Sequence, residues 1–313
     1  MLGGQNLNIN SENIRLTDSN ILYGSAEALP CLVVDTPRCS AVVALQGAQL
    51  LSFKPTGDRD WLWLSPLATF RPSVAIRGGI PICAPWFGVN RRQTELPKHG
   101  FMRNREWQLS AADDLADDLV RLRFKFKSEA EDTAGFPWPI YAELEMYLAE
   151  EVSLSLRIGN MGDLPMPLSF AFHSYFAVND LSRVEIPELA GQQYLDNTDA
   201  LSSKLQPAAV RFSAEVDQVY NGIAASQSLC AGDDVIYVTA WHCDTAIVWN
   251  PGEALAASMS DVGSHFNEYV CLERGMAFQD EQELAAGQEF QGHMSIARTL
   301  ERGMMILRGI SAA

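Results

Sequence analysis

No stretch of this 313-residue chain approaches the roughly 18 consecutive apolar residues that a membrane-spanning helix needs. The opening MLGGQNLNINSENIRL has neither a basic region nor an apolar one behind it. A cytoplasmic protein without a membrane partner is expected. Positive charge is scarce too. With 23 Lys and Arg against 39 Asp and Glu, the net charge of -16 argues against a nucleic-acid partner, which would be held by a surplus of Lys and Arg. The six cysteines (Cys31, Cys39, Cys83, Cys230, Cys243, Cys271) stand singly, without zinc-site spacing or the density of a secreted disulfide scaffold, and read as reduced buried thiols. No phosphate-binding P-loop, dinucleotide fingerprint, G-x-S-x-G elbow or HExxH helix is present, so no metal or nucleotide cofactor is expected. Linkers, repeats and long helical periodicity are also missing. The expectation is one domain over residues 1–313, with 1–30 as an N-terminal segment.

What is there is strand after strand. Short β-rich runs begin at Cys31 to Val34, Ala41 to Leu45 and Leu50 to Phe53. In Leu119 to Lys127, Leu122, Phe124 and Phe126 alternate with Arg121, Arg123, Lys125 and Lys127, which puts one face in a core and the other in water. Ala142, Leu144, Met146 and Leu148, followed after Ala149 and Glu150 by Val152, Leu154, Leu156 and Ile158, predict an antiparallel hairpin. Leu168 to Phe176, Val235 to Ala240, Thr245 to Trp249 and Tyr269 to Glu273 add further strands, and Ala111 to Asp118 could form a helical turn but is short and acid-rich. Many strands with little helix predict an all-β protein, a large antiparallel β-sandwich.

One stretch is irregular. In Val74 to Asn104, VAIRGGIPICAPWFGVNRRQTELPKHGFMRN, Gly78 and Gly79 permit positive φ or close backbone approach, while Pro81, Pro85 and Pro97 fix φ. A shaped, rigid loop is expected. From Arg77 to Arg105 it carries six basic residues (Arg77, Arg91, Arg92, Lys98, Arg103, Arg105) against Glu95 alone, which suits a basin for an anion and equally a solvated loop. His99 sits in it beside Gly100 as a proton handler or hydrogen-bond donor. Elsewhere, Leu168, Phe170 and Phe172 share one strand face, leaving His173 on the other with Ser169 and Ala171, where small neighbours make room for a ligand. Val270 and Leu272 likewise face away from Glu273. Each residue alone also fits a structural role: a hydrogen-bonded core histidine, or a glutamate at a strand end.

Taken in order, Ile76-Arg77-Gly78-Gly79-Ile80-Pro81, Pro85-Trp86-Phe87-Gly88, His99-Gly100-Phe101-Met102-Arg103-Asn104, His173-Ser174-Tyr175-Phe176, Asp217-Gln218-Val219-Tyr220, Val248-Trp249-Asn250-Pro251 and Cys271-Leu272-Glu273 resemble the hexose-6-phosphate mutarotases. These are the glucose-6-phosphate 1-epimerase branch of the aldose 1-epimerase superfamily. The resemblance runs from about Leu32 to near the C-terminus. It implies the galactose-mutarotase-like β-supersandwich, with His173 as general acid, Glu273 as general base, His99 as a second active-site histidine, and Arg77 and Asp217 at sugar-binding positions. Two positions depart from the pattern: Ala84 stands where a large aromatic is usual, and Gln218 replaces an arginine.

The implied chemistry suits those side chains. Anomer exchange takes a proton from the C1 hydroxyl and gives one to the ring oxygen; the chain opens, the carbonyl turns and the ring recloses. A carboxylate with an ordinary pKa near 4.3 and an imidazole near 6.5 suffice, without metal or covalent intermediate. Trp86, Phe87 and Trp249 offer apolar faces to the sugar, or fill core. Arg91, Arg92, Lys98 and Arg103 are the candidates for the 6-phosphate, with Arg91 and Arg92 expected to point apart. Two alternatives stay open: unphosphorylated aldoses as substrate, and a phosphosugar-binding protein without turnover.

Overall fold

Residues 9–302 are described by a computed structural model, and the alternating runs of the sequence become its largest sheet. Val120–Ser128, Ile140–Leu148 and Val152–Asn160 form an antiparallel meander in which Leu148 pairs with both Val120 and Val152. Gln108–Asp114 extends it on one side and Glu289–Ala297, Asp234–Trp241 and Ser226–Ala231 on the other, within a ten-stranded sheet. An eight-stranded sheet holds Val216–Tyr220, Thr245–Asn250, Tyr269–Met276, Phe170–Phe172 and Ile82–Cys83 side by side, with Tyr175–Ala177 also paired to Tyr269–Met276. Phe170, Phe172, Val270 and Leu272 of this sheet share one core cluster with Leu122, Phe124, Leu154 and Ile296 of the larger one. At about 1.5–3 kcal/mol per fully buried large apolar side chain, that shared layer is the main adhesive between the sheets. Ile14–Asp18 to Gln49–Pro55 form a third, four-stranded sheet.

The strand-rich reading holds, and among the described residues helix occurs as short pieces such as Ser19–Tyr23 and Gly252–Ala256. Among the described residues no helix is long and apolar enough to cross a membrane. Two local expectations fail. Ala111 to Asp118 is not a helical turn: its first half belongs to the strand Gln108–Asp114, where pairing with Val120–Ser128 and burial of Ala112 override a weak local preference, leaving only a 3-10 turn at Ala116–Asp118. Leu168 to Phe176 is not one strand but three pieces, Met166–Leu168, Phe170–Phe172 and Tyr175–Ala177. The breaks at Ser169 and at His173–Ser174 occur where the strand backbone turns to the irregular loop. Ser169 N donates to Pro85 O (3.1 Å), His173 N to Pro81 O (3.0 Å) and Tyr175 N to Gly79 O (2.9 Å).

The loop is fixed at its glycines. Gly78 and Gly79 have φ of +117° and +62°, and a Cβ would lie 2.4 Å from Trp63 O at the first and 2.2 Å from Leu50 O at the second. Only glycine fits there.

Candidate active site

The site lies on the face of the eight-stranded sheet that points away from the shared core. Cys271 pairs in register with Tyr175 on one side and Trp249 on the other, and Trp249 with Asp217. Directly paired residues share a sheet face, so Tyr175, Cys271, Trp249 and Asp217 form a row, and Glu273 stands two residues along from Cys271 on the same face. His173, in the break before Tyr175–Ala177, lays its ring on that of Tyr175 at 4.8 Å and 11°.

His173 Nε2 lies 3.4 Å from Glu273 Oε1, and the two residues are only 6% and 1% exposed. The other two polar atoms, His173 Nδ1 and Glu273 Oε2, are buried without a hydrogen-bond partner. Burial sets the electrostatics. Desolvation raises the Glu273 pKa well above the ordinary carboxylate value, reinforced by Asp217 and opposed by Arg103. It lowers His173 well below the ordinary histidine value, with His99, Arg103 and Arg77 adding to the shift. The ordinary values had suggested a carboxylate ready to accept and an imidazole near its midpoint; burial instead drives both toward their neutral forms. A neutral Glu273–His173 pair still holds one proton, the same number as a carboxylate beside an imidazolium.

The loop delivers His99 to this pair, its ring 5.6 Å from that of His173 and edge-on to Phe87 at 4.8 Å. The Gly88 amide donates to His99 Nδ1 at 3.3 Å, so a neutral His99 carries its proton on Nε2. Burial and then Arg103, Lys98 and Arg77 hold its pKa well below the usual value, which keeps it neutral. The backbone at His99 (φ 68°) and Gly100 (φ 66°) is left-handed, and a Cβ on Gly100 would meet Ala84 O at 1.9 Å. Arg77 is clamped: its Nε donates to Asp261 Oδ2 at 2.9 Å and its Nη1 to the Tyr175 hydroxyl at 2.8 Å. Asp217 accepts from Asn197 Nδ2 at 2.7 Å, and burial raises its pKa to about 6.

The basic loop divides. Arg103 comes close enough to act on His99, His173 and Glu273; it donates to Lys98 O at 3.1 Å and keeps a buried Nε without a partner. Arg91 and Arg92 point apart, Arg91 over the Phe278 ring at 4.8 Å and Arg92 toward Glu283 at 3.8 Å. Both line a cavity beyond Phe87, and Lys98 is exposed. Trp86 is placed in the core rather than on the cleft: 7% exposed, it packs on Phe101 and Phe136 and donates to Pro97 O at 3.0 Å. Of the two departures, Ala84 is fully buried and its carbonyl receives Phe101 N and Met102 N, while Gln218 Oε1 accepts from the Tyr220 hydroxyl at 2.7 Å.

Sequence reasoning missed three residues. Tyr175 and Cys271 were legible as two-residue neighbours of His173 and Glu273 on the same strand face. Asp261 gave no signal, because it approaches Arg77 across 184 residues of chain.

Comparison with known proteins covers most of the chain. The aldose 1-epimerase family model matches residues 30–297. A candidate glucose-6-phosphate 1-epimerase of Escherichia coli (strain K12) is 35% identical over 80% of this chain and 84% of its own. A counterpart with the same description in Salmonella typhimurium is 36% identical over 78% and 82%. The crystal structure of a candidate mutarotase from Salmonella typhimurium superposes with a TM-score of 0.78 at 31% identity, covering 86% of this chain and 90% of that one. With its sandwich and this similarity along most of its length, the chain belongs to the aldose 1-epimerase family.

Proposed function

We propose that this protein interconverts the α and β anomers of a hexose 6-phosphate, glucose 6-phosphate first among them. The observation that carries the reading is the buried His173–Glu273 pair, in contact at 3.4 Å with one polar atom of each left unpartnered. Such atoms in a native core call for an explanation, and a bound polar ligand supplies it. The single proton of the pair matches the reaction. With that proton on His173, the Glu273 carboxylate takes the proton of the C1 hydroxyl while His173 Nε2 or Nδ1 gives its own to the ring oxygen as the C1–O5 bond breaks. After the aldehyde turns, the reverse transfers close the ring on its other face and restore the pair. His99, neutral with its proton on Nε2, serves as hydrogen-bond donor to a sugar oxygen rather than as an acid. Arg77, oriented by Asp261 and Tyr175, and Asp217 hold the sugar hydroxyls, and Phe87 and Trp249 wall the ring.

The phosphate falls to the basic loop, with Arg103 nearest the pair and Arg91, Arg92 and Lys98 further out. A planar guanidinium can hold two phosphate oxygens at once. Six cysteines without a disulfide among them fit a reducing, cytoplasmic setting for such a substrate. Anomer exchange followed by NMR on glucose 6-phosphate and glucose side by side tests the reading. Faster exchange on the phosphorylated sugar is expected. Equal rates would move the assignment to free aldoses, and no exchange on either would leave a binding protein.

A further inference from the structure

The Glu-His pair has a third neighbour that anomer exchange does not use. Cys271 is fully buried between Tyr175 and Trp249 in the row below, and one donor atom each from His173, Cys271 and Glu273 lies within 4.8 Å of the others. We propose that this cleft is also a binding site for a thiophilic divalent ion, Zn2+ being the type, held by these three side chains with the fourth position open to water.

The donor set decides the metal. An imidazole nitrogen, a thiolate and one carboxylate suit Zn2+, whereas Mg2+ and Ca2+ need mostly oxygen ligands. Metal–ligand bonds of about 2.0–2.3 Å put tetrahedral ligands about 3.3–3.8 Å apart, so the cluster must contract by about 1 Å at its widest, within reach of small side-chain rotations. His173 Nδ1 and Glu273 Oε2 are already buried without partners, so binding there breaks no hydrogen bond at those atoms. Charge also closes. The Cys271 thiol and the protonated Glu273 each release a proton to solvent as their bonds to the ion form, and two anionic ligands neutralise the 2+ charge in a place where an unpaired ion is costly. The nearby Arg77 and Arg103 oppose the ion and limit its affinity. Occupancy would consume both groups of the proposed acid/base pair, so the ion acts as an inhibitor competitive with sugar. That consequence rests on the mutarotase reading; the binding itself does not.

The test is therefore made first without substrate. Titrating the whole protein with Co2+, a spectroscopic substitute for Zn2+, should give a saturable thiolate-to-cobalt charge-transfer band in the near ultraviolet, displaced by Zn2+ and unaffected by excess Mg2+. Cys271→Ser should abolish that band and weaken Zn2+ binding by about a hundredfold or more, while the circular dichroism spectrum stays that of the parent. Should the serine variant misfold, Cys271→Ala replaces it, with circular dichroism as the check. Absence of the band in the unaltered protein, or unchanged Zn2+ affinity in the Cys271 variant, would overturn the proposal. Saturable binding that leaves exchange untouched would overturn the inhibitory role.

Discussion

Glu273 and Arg274 are neighbours on one strand, both buried almost completely, and they face opposite ways. Arg274 points to the shared core side, where every donor group is answered. Its Nη2 and Nε donate to Cys243 O at 2.8 and 3.2 Å, and its Nη1 to Ala225 O at 3.0 Å, to Ala224 O at 3.3 Å and to Gln227 Oε1. Glu273 points the other way, toward His173, with one oxygen unanswered. A buried charge with a full set of partners is part of the architecture. The unanswered oxygen of Glu273, set against a histidine with an unanswered nitrogen, leaves polar atoms open to a ligand. The same strand thus separates stability from chemistry by nothing more than the two-residue alternation of its side chains.

The largest expected effect tests the unanswered side. Glu273→Gln and His173→Ala should each reduce anomer exchange by about 10²- to 10⁴-fold while the thermal melting curve stays cooperative, because a positioned acid or base contributes about that much. Near-normal exchange by either would remove the assignment of the pair.

Arg274→Met should do the reverse. It strips partners from several buried carbonyls, at about 1–3 kcal/mol for each group left unsatisfied, so the denaturation midpoint should fall sharply while any folded fraction keeps the wild-type ratio of rates on phosphorylated and free sugar. If Arg274→Met melts like the parent, the partition between the two faces is wrong.

A smaller effect is expected from the outer basic loop. The double variant Arg91→Ala/Arg92→Ala removes charge-assisted bonds worth about 1.5–3 kcal/mol each where they reach phosphate, and so should lose about ten- to a hundredfold of the preference for phosphorylated over free sugar and much of its salt sensitivity. Full retention of that preference would mark the pair as a solvated surface and leave Arg103 to answer for the anion.

The smallest effect is a pH dependence of stability. The folded-state pKa of Glu273 lies above its unfolded value of about 4.5, so its contribution to stability is complete below that pH and is lost as pH rises toward the folded pKa. Glu273→Gln lacks this loss. Its stability relative to the parent should therefore be level below about pH 4.5 and grow in its favour above it, read by chemical denaturation across the range. A difference that does not change with pH would mean that Glu273 is not held neutral by burial.

The sequence by itself determined the strands of the meander and the direction in which Leu168, Phe170, Phe172, Val270 and Leu272 face, because a two-residue alternation is a local property of an extended backbone. It also determined that His173 and Glu273 share the opposite side from those apolar residues, and the order of its motifs carried the family. It misread what contacts at long range decide. The interruption at His173 comes from backbone bonds to Pro81 and Gly79, and the strand at Ala111 from its pairing partner. Charge state was beyond it for the same reason. A glutamate and a histidine have ordinary pKa values in the chain, and only the packing of Cys271, Tyr175 and the loop around them removes the water that those values assume. The clamp of Asp261 on Arg77 and the partners that Arg91 and Arg92 take were likewise left to the tertiary structure, since nothing in a linear sequence says which distant carboxylate or ring a guanidinium will meet.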